Sequence, residues 1–373
     1  SNANTINDID WVGGLAYVAG GRKHATLWSR GRQEDLGTLG GPNSAIEQPN
    51  TSVNGVLIGT SDTSTTNRYA AGFCGSPKGC LGFIWRDGHM KALPTLGGPN
   101  GSGSTVNDEG QIIGYAETAV EDKACGAPKV YGFLLNPKHG MQVLPPLSGD
   151  ILSAAIAINN RGQVAGVSGP CPVSAALVHP VFWRDRTPTQ LTTLGGATNN
   201  IAFAINDHGE IVGWSDLPGD TTDHGVVWNA GSHKITDLGT LPGDVESEAY
   251  GINNRGQIVG PSCKKVSTSS NRTCHAFLYE DGEIIDLNSL LVHPNPRYVV
   301  AEATAINNDG DISADVIDKQ THRELTVIAR PTGRATVSGA AVVPDRPPSG
   351  AGYESVSMHH RTLLAPLLRA QEP

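Results

Sequence analysis

A hydrophobic residue followed by asparagine, usually with glycine three positions later, recurs seven times along the 373 residues. The asparagines are Asn7, Asn54, Asn107, Asn159, Asn206, Asn253 and Asn307, spaced by 47, 53, 52, 47, 47 and 54 residues. A head-to-tail unit of roughly 45–50 residues with four short β-type runs has the period of a propeller blade. The first run, strand a, ends at the asparagine: AAIAIN (154–159), AFAIN (202–206), EAYGIN (248–253), EATAIN (302–307). Its small residues suit inner strands crowded around an axis. A turn such as NDEG, NNRG, NDHG or NNDG leads to strand b (QIIG, QVAG, EIVG, QIVG). Asn and Gly supply the positive φ of a tight, bulged hairpin, so the repeated Asn reads as structural. Strand c reads HATLW (24–28), GFIW (82–85), HPVFW (179–183), HGVVW (224–228) and HAFLY (275–279). Strand d ends in DLGTLGG (35–41), LPTLGG (93–98) and DLGTLPG (237–243), whose glycines carry the chain to the next inner strand.

The expected fold is therefore all-β: a single β-propeller of seven four-stranded blades. Six is the alternative, if the first or seventh unit fails to form its own sheet. The 46 glycines, 24 prolines and 17% charged residues suit many short strands and turns. Ser1–Ala3 read as a tag scar, residues 4–343 as the propeller and 344–373 as a Pro/Gly-rich linker with a short C-terminal tail. A short helix over 355–370, interrupted at Pro366, is expected in that tail. The seventh unit has EATAIN, DISADVID and ELTVIAR, but no LGTLGG strand follows. An open ring would expose edges, which β proteins avoid. Either RATVSGAAVV (334–343) supplies the missing strand, or an N-terminal strand outside this sequence does.

The net charge of −9 leaves no basic patch, which argues against nucleic acid as a partner. No apolar run approaches the ~18 residues of a membrane span. Histidine opens strand c at His24, His179, His224 and His275. Ring geometry keeps equivalent positions of separate blades apart, so a hydrogen-bonding role is expected for each rather than a shared ligand. Trp28, Trp85, Trp183 and Trp228 read as packing between blades.

These motifs, HATLW, DLGTLGG, HAFLY and DLGTLPG together with the recurring IN…G, resemble the bacterial HAF repeats, a group described as extracellular. The resemblance spans about Ile6 to Leu290, with the inner strands of the seventh unit through Ala329. It implies a secreted or surface-exposed β-propeller and brings no established activity.

All six cysteines fall between a strand b and a strand c. Cys74 and Cys80 share one loop, Cys263 and Cys274 another, and Cys125 and Cys171 occupy the same loop of adjacent units. The repeat register selects Cys74–Cys80, Cys263–Cys274 and Cys125–Cys171 from 15 possible connectivities. No CxxC pair exists, so no metal site is expected. Bridged cysteines place the protein outside the cytoplasm: extracellular, at the cell surface or periplasmic.

In a propeller the b–c loops and d–a connections share one face. Here that face carries the long loops (61–80, 116–130, 167–178, 214–223 and 261–274), whereas the other has only tight turns. Binding usually sits on loops of a rigid scaffold. The expected function is recognition of a glycan or protein through the long-loop face, by a monomer without cofactor. Tyr115 and Trp214 follow the strand-b glycine and are the aromatic candidates, with blade packing as the competing role. Asp216 is a further ligand-binding candidate. Glu248 and Glu302 both lie five residues before their strand-a Asn, which sets them on neighbouring inner strands at the channel mouth. The alternative is a polysaccharide lyase or hydrolase acting at the axial channel, which needs a non-repeated acid–base set there. Asp150, Asp220 and Asp244, in the SGD and PGD turns, read as turn and cap residues.

Overall fold

The computed structural model describes residues 2–49, 55–123, 125–170, 178–264 and 273–331. They form seven antiparallel sheets in a propeller ring, almost without helix. Blade one contains β1 (Asn2–Ile6), β2 (Val12–Tyr17), β3 (Lys23–Ser29) and β4 (Arg32–Asp35). Blade two contains β5 (Gly40–Ala45), β6 (Val56–Thr66), β7 (Lys78–Arg86) and β8 (His89–Ala92), with α1 (Ala70–Cys74) between β6 and β7. Blade three is β9 (Gly97–Val106), β10 (Ile112–Asp122), β11 (Ala127–Asn136) and β12 (Gly140–Leu144). Blade four is β13 (Leu152–Ile158), β14 (Val164–Gly169), β15 (His179–Arg184) and β16 (Thr187–Gln190). Blade five is β17 (Ile201–Ile205), β18 (Glu210–Asp216), β19 (Asp223–Asn229) and β20 (Ile235–Gly239).

Blade six has an inner strand in two pieces, β21 (Glu246–Ser247) and β22 (Gly251–Ile252), then β23 (Ile258–Lys264), β24 (Thr273–Glu280) and β25 (Glu283–Asp286). Blade seven has three described strands, β26 (Tyr298–Ile306), β27 (Ile312–Asp318) and β28 (Arg323–Ala329). Residues 334–343, the linker and the helix expected over 355–370 lie outside the described residues. β1 begins at Asn2, and both Asn2 and Ala3 are buried. The first inner strand thus runs through the residues expected to precede the domain.

The recurring sequence has a local cause in each blade. Except in blade two, where β5 ends at Ala45, the inner strands stop at the residue before Asn, and the Asn side chain then builds the turn. Asn206 Oδ1, for example, accepts from His208 N at 3.1 Å and Glu210 N at 2.9 Å, while Gly209 takes φ +82°. The strand-b glycine answers a close approach: a Cβ on Gly213 would lie 1.9 Å from the Ile201 carbonyl oxygen. Strand-c tryptophans pack between sheets, and two of them also bond across blades. Trp183 Nε1 donates to Pro145 O at 2.8 Å and Trp228 Nε1 to Thr192 O at 2.7 Å.

The strand-c histidines take the bonding role their recurrence predicts. Nδ1 of His24, His179 and His224 lies 2.9–3.0 Å from Asp35, Asp150 and Asp237. His275 stands 3.8 Å from Asp244. Cys74–Cys80 and Cys263–Cys274 are bridged as the register predicts. Cys125 is also disulfide-bonded; Cys171, its expected partner, lies outside the described residues.

Candidate functional site

Two ends of the axis and one set of hairpins concentrate polar chemistry. On the tight-turn face, six of the seven asparagines form a ladder around the axis. Asn107 Nδ2 donates to Asn159 O, Asn159 to Asn206 O, Asn206 to Asn253 O, Asn253 to Asn307 O and Asn307 to Asn7 O, at 2.9–3.1 Å. Asn54 lies outside the described residues. A second tier follows one residue later, where Asp108 N donates to Asn160 Oδ1, Asn160 N to Asp207 Oδ1 and Asp207 N to Asn254 Oδ1. These rings surround a funnel of about 180 Å³ floored by Ile and Val side chains. Its polar groups bond one another, so the ladder is first of all what joins the blades.

At the long-loop end the axis is stoppered by aromatic side chains. Trp214 packs on Phe203 with ring centroids 5.3 Å apart and on Tyr250 at 6.0 Å; Phe73, carried by α1, meets Tyr115 at 5.6 Å. Trp214 is 3% and Tyr115 5% exposed, in one apolar cluster with Ile156 and Ile201. Burial pushes the Tyr115 phenol up to about 12. Neither ring is free to stack on a ligand, contrary to the expectation that they point at the loop surface. Alternation along strand b sets the face correctly, but that face looks into the axis. Tyr17, 52% exposed, and Tyr69, half-buried under the Arg68 guanidinium at 4.5 Å, are more accessible.

Asp216 is buried and serves its own blade, accepting from Asn199 N at 2.7 Å and from the Thr198 hydroxyl. Asp220 caps the same connection through Ala197 N at 2.6 Å. Glu248 and Glu302 do lie on adjacent inner-strand positions, yet each has a different partner. Buried Glu248 accepts from the Tyr250 hydroxyl. Glu302 pairs in register with Asp315 on β27. Asp315 is buried beside Glu324 and Glu302, and accepts from Thr326 Oγ1 at 3.0 Å. Desolvation, then these two acidic neighbours, push its carboxyl well above the ordinary range. The same causes, burial followed by Glu302, raise Glu324 to about 7. No repeat motif points to Asp315 or Glu324, and neither DISADVID nor RELTV carries a periodic pattern of acids that would single them out.

The third feature is the pair of hairpins β6–β7 and β10–β11. β6 and β10 each run 11 residues, against six or seven for β2, β14, β18 and β23. Their ends are joined by a buried amide network. Asn67 and Asn100 exchange bonds of 2.9 and 3.2 Å, and Asn100 Nδ2 donates to Glu117 Oε2 at 2.9 Å. Burial outweighs these bonds and raises the Glu117 carboxyl to about 7. Arg68 reaches from blade two to Glu121 of blade three at 3.2 Å, and Val120 beside it is 60% exposed. Cys74–Cys80 ties α1 to the start of β7.

Among the described residues no group of three His, Cys, Asp or Glu side chains is arranged to hold a metal ion. No described helix is long and apolar enough to cross a membrane.

A ring of seven antiparallel sheets, six with four strand positions and the seventh with three among the described residues, makes this a β-propeller. Residues 100–349 match the family described as protein of unknown function (DUF3466), and the chain belongs to that family. The match is to this family rather than to the HAF repeats that the motifs resemble. No curated protein matches. Among solved structures, a puromycin-hydrolyzing peptidase of Mycobacterium tuberculosis is similar over 87% of this chain at 12% identity and a TM-score of 0.47. This chain spans 52% of that peptidase. An oligogalacturonate lyase from Vibrio parahaemolyticus is similar over 89% of this chain and 90% of its own, at 10% identity and 0.43. A PL25 ulvan lyase is similar over 76% and 79%, at 10% and 0.42. Likenesses at this level carry no argument about function.

Proposed function

We propose that this protein is an exported binding propeller that takes a glycan or a protein segment on its long-loop face, at the paired hairpins of blades two and three. One observation carries the reading: β6–β7 and β10–β11 project beyond the other hairpins and are locked together by Asn67, Asn100 and Glu117, while the Cys74–Cys80 bridge closes the blade-two loop. Pre-ordering lowers the entropy lost on binding, which makes such a surface better prepared than a free loop. It offers Arg68 and Tyr69 side by side, with Glu121 and Val120 next to them. A guanidinium on an aromatic face, flanked by a carboxylate, suits sugar hydroxyls and peptide groups alike. Two cystine bridges accord with an oxidising compartment.

The test is a glycan array and a peptide library screened with the purified protein, with hits quantified by calorimetry. Arg68→Ala combined with Tyr69→Ala is expected to weaken the hit at least about tenfold, or about 1.4 kcal/mol. Thermal stability should stay within about 0.5 kcal/mol of the parent, as for most surface changes. Binding that survives this variant and is lost in Asp108→Ala would move the site to the axial funnel.

A further inference from the structure

In blade one, strands b and c are joined by a short turn, residues 18–22. In blade two the same connection, residues 67–77, carries α1 and reaches sideways onto blade three. Phe73 of α1 packs on Tyr115 of β10 at 5.6 Å, Arg68 reaches Glu121 at 3.2 Å, and the Cys74–Cys80 bridge ties α1 to β7. The deepest attachment of this strap is polar.

The repeat shows how that attachment is built. LGGPN occurs at 39–43 and at 96–100. In both copies the Asn amide serves the acid three residues after the strand-b glycine. Asn43 Nδ2 donates to Asp62 Oδ2 at 2.8 Å, and Asn100 Nδ2 to Glu117 Oε2 at 2.9 Å. In both, Oδ1 accepts from the start of the preceding blade's strand c, Lys23 N at 3.2 Å and Cys80 N at 3.4 Å. Asn100 alone of the two exchanges a second pair of bonds, with Asn67 of the strap. Glu117 therefore orients the amide that Asn67 grips.

The Glu117 carboxyl is buried, and the charged groups around it are engaged elsewhere. Lys78 Nζ donates to Ser64 O, Lys129 lies by Asp122, and Arg68 pairs with Glu121. β9 carries no titratable side chain, and Tyr131 of β11 shares the other face with Ala116. Tyr115, on the Glu117 side, is raised to about 12 by burial, with Glu47 adding to the rise. Ionising a carboxyl in such a place loses solvation that bonds from a neutral amide do not replace. Burial accordingly raises Glu117 to about 7, against the pull of Asn100.

We propose that residues 67–77 are a strap that closes over Glu117 and Tyr115 while Glu117 is protonated and lifts when it ionises. With the strap lifted, water reaches the carboxyl and its value returns toward the ordinary 4.5. The closed form thus binds the proton more tightly than the open one. Closure is complete below the ordinary value and is lost as pH rises through the raised one. Given the binding role proposed above for the paired hairpins, on which this step rests, the strap regulates that site. Arg68 and Tyr69 ride on it and Glu121 does not.

Hydrogen exchange on the full-length protein without ligand tests the strap by itself. The Phe73 and Cys80 amides are held by Tyr69 O and Asn100 Oδ1. After correction for intrinsic rates they are expected to lose protection at least about tenfold between about pH 5 and about pH 8, while β13 to β20 keep theirs. Glu117→Gln retains an acceptor for Asn100 and removes the charge, so its strap should stay protected throughout. Asn67→Ala, which frees the latch without touching the carboxyl, should show the low protection already at about pH 5. Strap protection that is constant with pH in the parent, or that falls equally in Glu117→Gln, overturns the proposal. A strap that responds to pH in a protein giving no hit on the glycan array or peptide library would establish the strap and overturn the hairpin binding role alone.

Discussion

Trp214 follows Gly213 in β18, and the glycine lets the inner strand approach so closely that the indole packs against Phe203 and Tyr250. Its position is that of an axial stopper, and its removal should act on folding before anything else. Trp214→Ala is expected to lower stability by about 3–5 kcal/mol, the usual cost of emptying a large aromatic site. Urea unfolding followed by circular dichroism measures it. A loss below about 1 kcal/mol would show that the aromatic cluster tolerates a hole of that size and that the axis is loosely filled. Asp216 argues the same way on the polar side. Its carboxylate is occupied by Asn199 N and Thr198, so it orders the entry to β17 and has little left for a ligand.

Blade seven is the one described sheet in which three carboxyl groups meet on a shared face. Glu302 and Asp315 are paired across β26 and β27, and Glu324 lies on the same side of β28. A carboxyl raised in the folded state binds more protons there than in the unfolded chain. Stability is then full below the unfolded value and falls as pH rises to the folded one. For Glu324 that window runs from 4.5 to about 7. Denaturation midpoints measured across it should decline with pH, and Glu324→Gln should flatten the decline and raise the midpoint at pH 7. A wild-type curve unchanged by the substitution would mean that the carboxyl is solvated.

This set also marks where the sequence stops being legible. Strand order, turns, histidine pairing and two disulfides can be read because each motif recurs in a known place, and repetition separates structural residues from the rest. Period-two alternation names the face of a strand. It does not say whether that face looks at solvent, a neighbouring blade or the axis, and Tyr115 and Trp214 turn on that difference. A common distance from Asn sets Glu302 beside Glu248. Its partners come instead from β27 and β28, through register shifts at Val300–Glu302 and Ala303–Ala305 that spacing does not reveal. The amide lock of Asn67, Asn100 and Glu117 joins the loop after β6 to strands β9 and β10 and has no repeat to announce it.

The ring as a whole has six junctions where the chain passes from one blade to the next, and one where it does not. Blades seven and one meet through side chains: Asn307 Nδ2 to Asn7 O at 3.0 Å, Asn308 N to Asp8 Oδ1 at 2.8 Å and Ala3 N to Thr326 Oγ1 at 3.2 Å. Apolar contact of Ala305 and Ile328 with the Ala3, Ile6 and Trp28 cluster adds to them. Asn206 and Asn307 do the same local work, each holding its own turn and one bond to the next blade. Their removal should therefore cost a similar amount, about 2–4 kcal/mol for several buried hydrogen bonds. What separates them is how the loss spreads. Behind Asn206 the backbone still tethers blades five and six, so Asn206→Ala should loosen its turn only. At the seam nothing covalent replaces the bond, and Asn307→Ala should let blades one and seven part while the others stay folded. Native-state hydrogen exchange would then show β1 and β28 opening at lower free energy than β13 to β20. Equal loss of protection around the ring in both variants would mean that the propeller opens only as one unit and that its seam is no weaker than its other junctions.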